Sequence, residues 1–483
     1  MSQPRLGSPL AVTIVFSTSA AVLVLEILAG RLLAPYTGVT LLTYTGIIGT
    51  VLAAIAVGTA LGGRLADRVD PSRLLGPTLI LGGILAWWSL PTLAWLGPMS
   101  GRGATSIVVL TGAAFFLPAA VLSGASPMVA KLRLADLGQT GSVVGGLSAA
   151  GTAGALVGTF ATGFILIEAM PTRPIVLAIG GALVVGGTVL WWRFAASVPS
   201  PRSTALVLAV IVGALGMGAT TPSVCQWETP YFCVTIEHDP ARPSGRVLWL
   251  DTLRHSYVDL DDPTHLEFRY VRLFAQVADQ TAPGRIDALH IGGGGFTFPR
   301  YLDATRPGGL NLVAEIDPEL VRIAEDRLGL GNGDGVEVVV DDARRVVADQ
   351  PDDRFDLVVG DAFGSLSVPW HLTTSEFVAD VARVLRSDGT YVLNVIDGGD
   401  VRFARAQTAT LMRHFDHVGV IVPRTDPAGV ANHVLVASGA PLDDLDVRPD
   451  DGRLLRGDEV ETFVDGERHL TDDFAPVDQL IAE

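Results

Sequence analysis

Apolar positions fall into two regimes that divide the chain near residue 222. Before that point they form long blocks, at about 10–30, 41–62, 74–96, 104–124, 142–167, 174–192 and 204–221. Most reach the roughly 20 residues needed to cross about 30 Å of hydrocarbon, and none has the polar face of a surface helix. The pattern predicts an α-helical transmembrane bundle of about seven spans. The first block is too long for a removed signal peptide and lacks its cleavage-site pattern. Small residues spaced four apart, Gly146 with Ala150 and Gly154 with Gly158, predict close helix packing. Glu26 lies within the first block and is expected to pair with Arg31 near the interface.

Beyond residue 222 the runs shorten and alternate. Residues 231–236, 246–250 and 256–260 read as strands of a small antiparallel lead-in sheet, with Pro- and Gly-bearing turns between them. A helix is predicted from about 264 to 280, with Leu266, Tyr270, Leu273, Phe274 and Val277 on one face. Four short apolar runs follow at 288–295, 312–317, 336–342 and 355–361, each stopping at glycine or an acid and separated by helix-length segments. That rhythm predicts a Rossmann-like α/β domain of the methyltransferase type, a parallel sheet whose strand C-termini line a ligand crevice. Strands near 389–396, 417–422 and 433–437 complete the sheet, the last two as a hairpin, and the tail at 470–478 is expected to dock on the domain. The domains expected are 1–222 (multi-span membrane domain), 223–280 (lead-in sheet and helix) and 281–483 (Rossmann-like domain).

Charge sharpens the division. Residues 1–221 carry 11 basic and 5 acidic side chains, net +6; the remainder carries 23 basic and 46 acidic, net −23. An acidic excess of that size disfavours nucleic acid, whose binding needs clustered Lys and Arg. With a single lysine, Lys131, and abundant Asp, the surface reads as a halophile's. Arg64, Arg68, Arg73, Lys131, Arg133, Arg193 and Arg202 follow even-numbered blocks, which by the positive-inside rule puts the N-terminus in the cytoplasm and the soluble half outside. Supply of a nucleoside co-substrate argues for the cytoplasm instead, so the side is left open. Cys225 and Cys233 are too few for a zinc site made from cysteine alone; they could pair on an oxidising side or stay as two small unpaired residues. No metal site is expected.

The crevice supplies the candidate chemistry. Gly292, Gly293, Gly294 and Gly295 close the first parallel strand and let backbone approach a ligand. Their spacing is neither a dinucleotide fingerprint nor a phosphate loop, so NAD and ATP are disfavoured. Glu315, about twenty residues on, is placed to accept hydrogen bonds from ribose hydroxyls. Asp342 could take the exocyclic amine of an adenine, and the backbone near Ala343 a ring nitrogen. Asp341 and Asp317 read as solvated acids. Asp361 ends the fourth strand, where a carboxylate can take a proton from an amine. His371 beside Trp370 reads as a packed residue.

Across most of its length the chain resembles the spermidine synthase (polyamine aminopropyltransferase) family in its membrane-fused form. Residues 26–35, 62–68, 255–264 and 470–478 resemble the fused members; the Gly292 run, Glu315, Asp342 with Ala343, and Asp361 resemble the whole family. The resemblance implies transfer of an aminopropyl group from decarboxylated S-adenosylmethionine to a small amine. Glu315 would hold the ribose, Asp342 and Ala343 the adenine, Glu267 and Tyr270 the substrate, and Asp361 would accept the proton. Gly295 and Gly364 stand where the family has acids, and 266–272 lacks the family's His, so the polyamine site is degenerate. Each lost charge-assisted hydrogen bond is worth about 1.5 to 3 kcal/mol. The rival expectations are an S-adenosylmethionine-dependent methyltransferase, and a membrane carrier or sensor that binds a polyamine or nucleoside without turnover. The lipid bilayer is the expected partner, and homo-oligomerisation is left open.

Overall fold

The structure is a computed structural model describing residues 6–481 except 102, 135–139, 195–200, 282–283, 332–334, 365–367 and 424–428. It divides into two compact units, Met1–Cys233 and Val234–Glu483.

In the first unit, six helices among the described residues are long and apolar enough to cross a membrane: Ser8–Thr37, Leu41–Arg68, Pro71–Met99, Ala104–Arg133, Thr140–Ala169 and Thr172–Phe194. The expected seventh span is the helix Pro201–Thr220, apolar from Thr204 to Thr220. At 1.5 Å per residue its 20 residues cover about 30 Å, the thickness of the hydrocarbon, so it stands beside the six as a helix of bilayer length. Six such helices suggest a membrane-spanning protein. A Cβ on Gly154 would stand 2.1 Å from the Phe16 carbonyl oxygen, and one on Gly158 2.6 Å from that of Ala20, so these glycines do bring two helices into backbone contact. Gly146 meets nothing within 4 Å and takes no part. Arg31 donates to the carbonyl oxygens of Pro230 and Thr229, and no ion pair with Glu26 forms among the described residues. Those carbonyls occupy the cation that Glu26 was expected to hold. Cys225 and Cys233 are joined in a disulfide.

The second unit begins with three antiparallel strands, β1 (Cys233–His238), β2 (Gly245–Leu250) and β3 (Leu253–Asp259). Helix α1 (Arg269–Thr281) follows. It starts later than expected because Asp262 Oδ1 accepts from the Thr264 backbone N–H (3.0 Å) and hydroxyl, tying that stretch into a turn. Its apolar face is buried as the spacing requires, with Phe274 fully covered and Leu273 and Val277 nearly so.

The main sheet is built from β4 (Ala288–Ile291), β5 (Asn311–Glu315), β6 (Val336–Val340), β7 (Phe355–Gly360), β8 (Leu385–Gly398), β9 (His417–Val422), β10 (Val430–Ser438) and β11 (Arg453–Leu455), in the order β11-β9-β10-β8-β7-β4-β5-β6. β6, β5, β4, β7 and β8 run parallel, and β10, β9 and β11 are added antiparallel. Every residue of β4 and β5 is buried, as expected of parallel strands covered on both faces; neither sequence alternates apolar with polar, and the polar side chains they do carry, His290, Asn311 and Glu315, are buried too. Strand order reverses between β4 and β7, so the loops after those strands flank the position where an open α/β sheet takes its ligand. The tail is fixed to this domain: the Leu470 N–H donates to Thr410 Oγ1 (2.9 Å) and its carbonyl accepts from the Ser375 N–H (2.8 Å).

Candidate active site

After β4 the chain turns through Gly292 (φ 93°), Gly294 (φ 52°) and Phe296 (φ 56°) into helix α2 (Thr297–Thr305). A Cβ on Gly292 would lie 2.6 Å from the Asp361 carbonyl oxygen, so glycine is needed there both for its φ and for its lack of a side chain. The loops after β4 and β7 are joined by the Asp361 N–H, which donates to the Ile291 carbonyl (2.9 Å). The Phe296 ring is buried against Gly293 and lines neither cavity described below.

Glu315, at the end of β5, is nearly fully buried. Its Oε2 accepts from the N–H groups of Gly293 (2.9 Å) and Gly294 (3.3 Å), and its Oε1 from that of Asp317 (2.9 Å). Burial pushes its carboxyl above the ordinary range, while the three amides pull the other way. A carboxylate offers about four lone-pair sites, so three amide donors leave one for a hydroxyl. Asp317, expected to be solvated, is fully buried as the N-cap of α3 (Pro318–Arg327), its carboxylate accepting from the N–H groups of Glu319 and Leu320. Asp341 does lie at the surface, beside Arg345.

Asp342 caps α4 (Ala343–Ala348) through Oδ1, which accepts from the Arg344 N–H (2.8 Å); its Oδ2 stands 3.0 Å from His371 Nε2. His371 therefore packs beside Trp370, as expected, and also pairs with an acid. Ala343 is buried behind the cap.

Asp361 follows β7. Its Oδ2 accepts from the Tyr270 hydroxyl (3.1 Å), its Oδ1 from Asn394 Nδ2 (3.1 Å), and Asn432 Nδ2 donates to Asn394 Oδ1 (2.9 Å). Burial pushes the carboxyl up to about 6, against the opposing pull of the two hydrogen bonds. Burial, helped by the Asp361 charge, raises the Tyr270 hydroxyl well above its usual range, so it remains a donor. Asp361 borders a small cavity of 30 Å³ shared with Gly292, Gly293 and His290, and a larger one of 390 Å³ walled also by Glu267, Tyr270, Asn394 and Asn432. Glu267 lies 3.8 Å from Arg254 and 3.6 Å from His265. Its own enclosed position holds His255, also in that wall, down to about 4, hence neutral at physiological pH.

The structure thus joins Gly292, Gly293, Glu267, Tyr270 and Asp361 around two adjoining cavities and ties Glu315 to the glycine turn. Gly294, Gly295, Glu315, Asp342 and Ala343 line neither cavity among the described residues. A Cβ on Gly295 would come within 2.7 Å of Ser256 Cβ, so the space an acid would need there is filled. Sequence reasoning missed Asn394 and Asn432. The signal for the first was present: a lone amide inside the apolar run of β8, a position that only a polar partner makes tolerable.

On topology the second unit is a Rossmann-like domain of the methyltransferase type, with its candidate site at the strand reversal. No family model matches the chain. Two curated relatives are polyamine aminopropyltransferases: one from Chromobacterium violaceum, 31% identical over 141 residues (29% of this chain, 53% of the relative), and one from Vibrio vulnificus, 33% identical over 141 residues (29% and 46%). A probable spermidine synthase from Corynebacterium glutamicum, known by crystal structure, aligns with 53% of this chain and 99% of its own at 26% identity and a TM-score of 0.49. The chain is thus similar to polyamine aminopropyltransferases over 141 residues. The chain spans about half the length of the first two.

Proposed function

We propose that the protein is a membrane-anchored, spermidine synthase-like aminopropyltransferase, with 1–222 as anchor, 223–280 as lead-in and 281–483 as transferase domain. The bilayer and a small-molecule amine are its partners. The observation that carries this reading is Asp361: a buried carboxylate at the strand reversal, held by Tyr270 and Asn394, poised near 6 and facing a 390 Å³ cavity.

The glycine turn suits a nucleoside donor, because it leaves bare backbone beside Asp361, and Glu315, bound to the Gly293 and Gly294 amides, keeps one lone-pair site for a ribose hydroxyl. Asp342 and Ala343 would receive the adenine, with Asp342 exchanging its His371 partner. Decarboxylated S-adenosylmethionine supplies a sulfonium, already a good leaving group. The chain has to orient the amine and accept its proton. The amine nitrogen bonds to the aminopropyl carbon as the carbon–sulfur bond breaks; the electron pair goes to sulfur and the amine's proton to Asp361. Tyr270 and Asn394 fix the carboxylate's orientation.

A second reading, methyl transfer from S-adenosylmethionine, is favoured by one observation: the space beside Gly295 is filled by Ser256, so no acid there repels the carboxylate that this donor carries in addition to its ammonium. Incubating the full-length, detergent-solubilised protein with each donor and an amine separates the two by the mass added to the amine. Asp361→Asn is expected to lower aminopropyl transfer at least 100-fold while leaving donor affinity within a few fold. Unchanged turnover in that variant would remove Asp361 as the base.

A further inference from the structure

The wall of the 390 Å³ cavity has the wrong charge for a diamine. It carries three guanidinium groups, Arg254, Arg269 and Arg272, against two carboxylates, Glu267 and Asp361. Arg272 is matched from outside the cavity by Asp451, 3.3 Å away, and donates to the Leu266 and Glu267 carbonyls. Arg254 lies over the Phe268 ring at 4.9 Å and within 3.8 Å of Glu267, which also faces His265. The Glu267 carboxylate therefore lies between Arg254 and His265, beyond hydrogen-bonding distance of either. Arg269, exposed at the start of α1, forms no ion pair among the described residues. It stands three positions from Arg272, where like charges on a helix repel. Once Asp361 has taken a proton, Glu267 is the one carboxylate left charged in the wall, against the guanidinium groups of Arg254 and Arg269, so the wall keeps a net positive charge.

We propose that the acceptor is an amine whose far end carries a carboxylate, held by Arg269 with Arg254 beside it, while its amino end faces Asp361. This rests on the transferase reading above and names its substrate class. A guanidinium presents parallel N–H donors that match a carboxylate, so the selectivity is one of geometry as well as charge. A cavity of this volume holds a small amino acid with room for the donor's three-carbon arm.

The test uses three probes of equal chain length, 4-aminobutyrate, putrescine and n-butylamine, with the full-length solubilised protein. Equilibrium binding is measured by calorimetry and alkylated product by mass spectrometry in the presence of decarboxylated S-adenosylmethionine. The expected result is binding of 4-aminobutyrate at least tenfold tighter than putrescine, with n-butylamine between them. Arg269→Glu should reverse the order, and Arg269→Lys should keep it. The site is exposed, so neither change threatens the fold. Tighter binding of putrescine, binding of none of the three, or a ratio unmoved by Arg269→Glu overturns the proposal. Preferential binding of 4-aminobutyrate with no transfer to any probe sustains the charge assignment while removing the transferase reading, so the two fail separately.

Discussion

At the scale of single residues the site turns on one carboxylate whose surroundings oppose its charge. Asp361 is buried, and burial wins over the two hydrogen bonds that favour its ionised form, raising it to about 6 from the ordinary value near 3.9. In the unfolded chain it would lose its proton at the lower pH. The folded state thus binds the proton more tightly, and stability falls as pH rises between about 4 and 6, by on the order of 3 kcal/mol. Asp361→Asn has no proton to lose. Its thermal midpoint relative to the wild type should therefore climb as pH goes from 4 to 7, and a constant difference would mean that Asp361 is not strained in the fold. The identity of this acid was legible in the sequence because it stops an apolar run. Its supports were less so: Tyr270 entered through family resemblance, and Asn394 reaches Asp361 only because β8 lies beside β7. Asp317 was misread since its spacing suited a solvated acid as well as a cap, and only burial distinguishes the two.

Elements were legible in proportion to their periodicity. The parallel strands announced themselves as apolar runs ending in glycine or acid, and β9 and β10 as a hairpin. The three-residue β11 is too short to carry a period, and α1 was started early because an apolar face says nothing of the Asp262 turn that delays it. The turn between β4 and α2 is the element on which both halves of the site depend. Gly292→Ala would put a methyl 2.6 Å from a backbone carbonyl at a φ of 93°. The expected cost is about 1 to 3 kcal/mol of stability, with donor binding weakened as well. Chemical denaturation and calorimetry would check both, and a variant of wild-type stability would show that the turn is not constrained as described.

For the whole molecule, composition alone separated an apolar, net basic half from an acidic one. The span count was legible only approximately, because Pro201–Thr220 is apolar and only just long enough to cross. The pairing of Cys225 with Cys233 needed geometry to settle. Maleimide should label neither cysteine in denatured, unreduced protein and both after reduction; direct labelling would contradict the disulfide. Aminopropyl transfer by this chain requires proton acceptance by Asp361, and the most direct measurement is the pH dependence of kcat/KM for decarboxylated S-adenosylmethionine in the full-length protein. A rising limb with its midpoint near 6 is predicted, moving upward by about one pH unit in Tyr270→Phe, since that variant loses a hydrogen bond favouring the ionised carboxylate. A profile without that limb, or one that Tyr270→Phe leaves in place, would contradict the assignment.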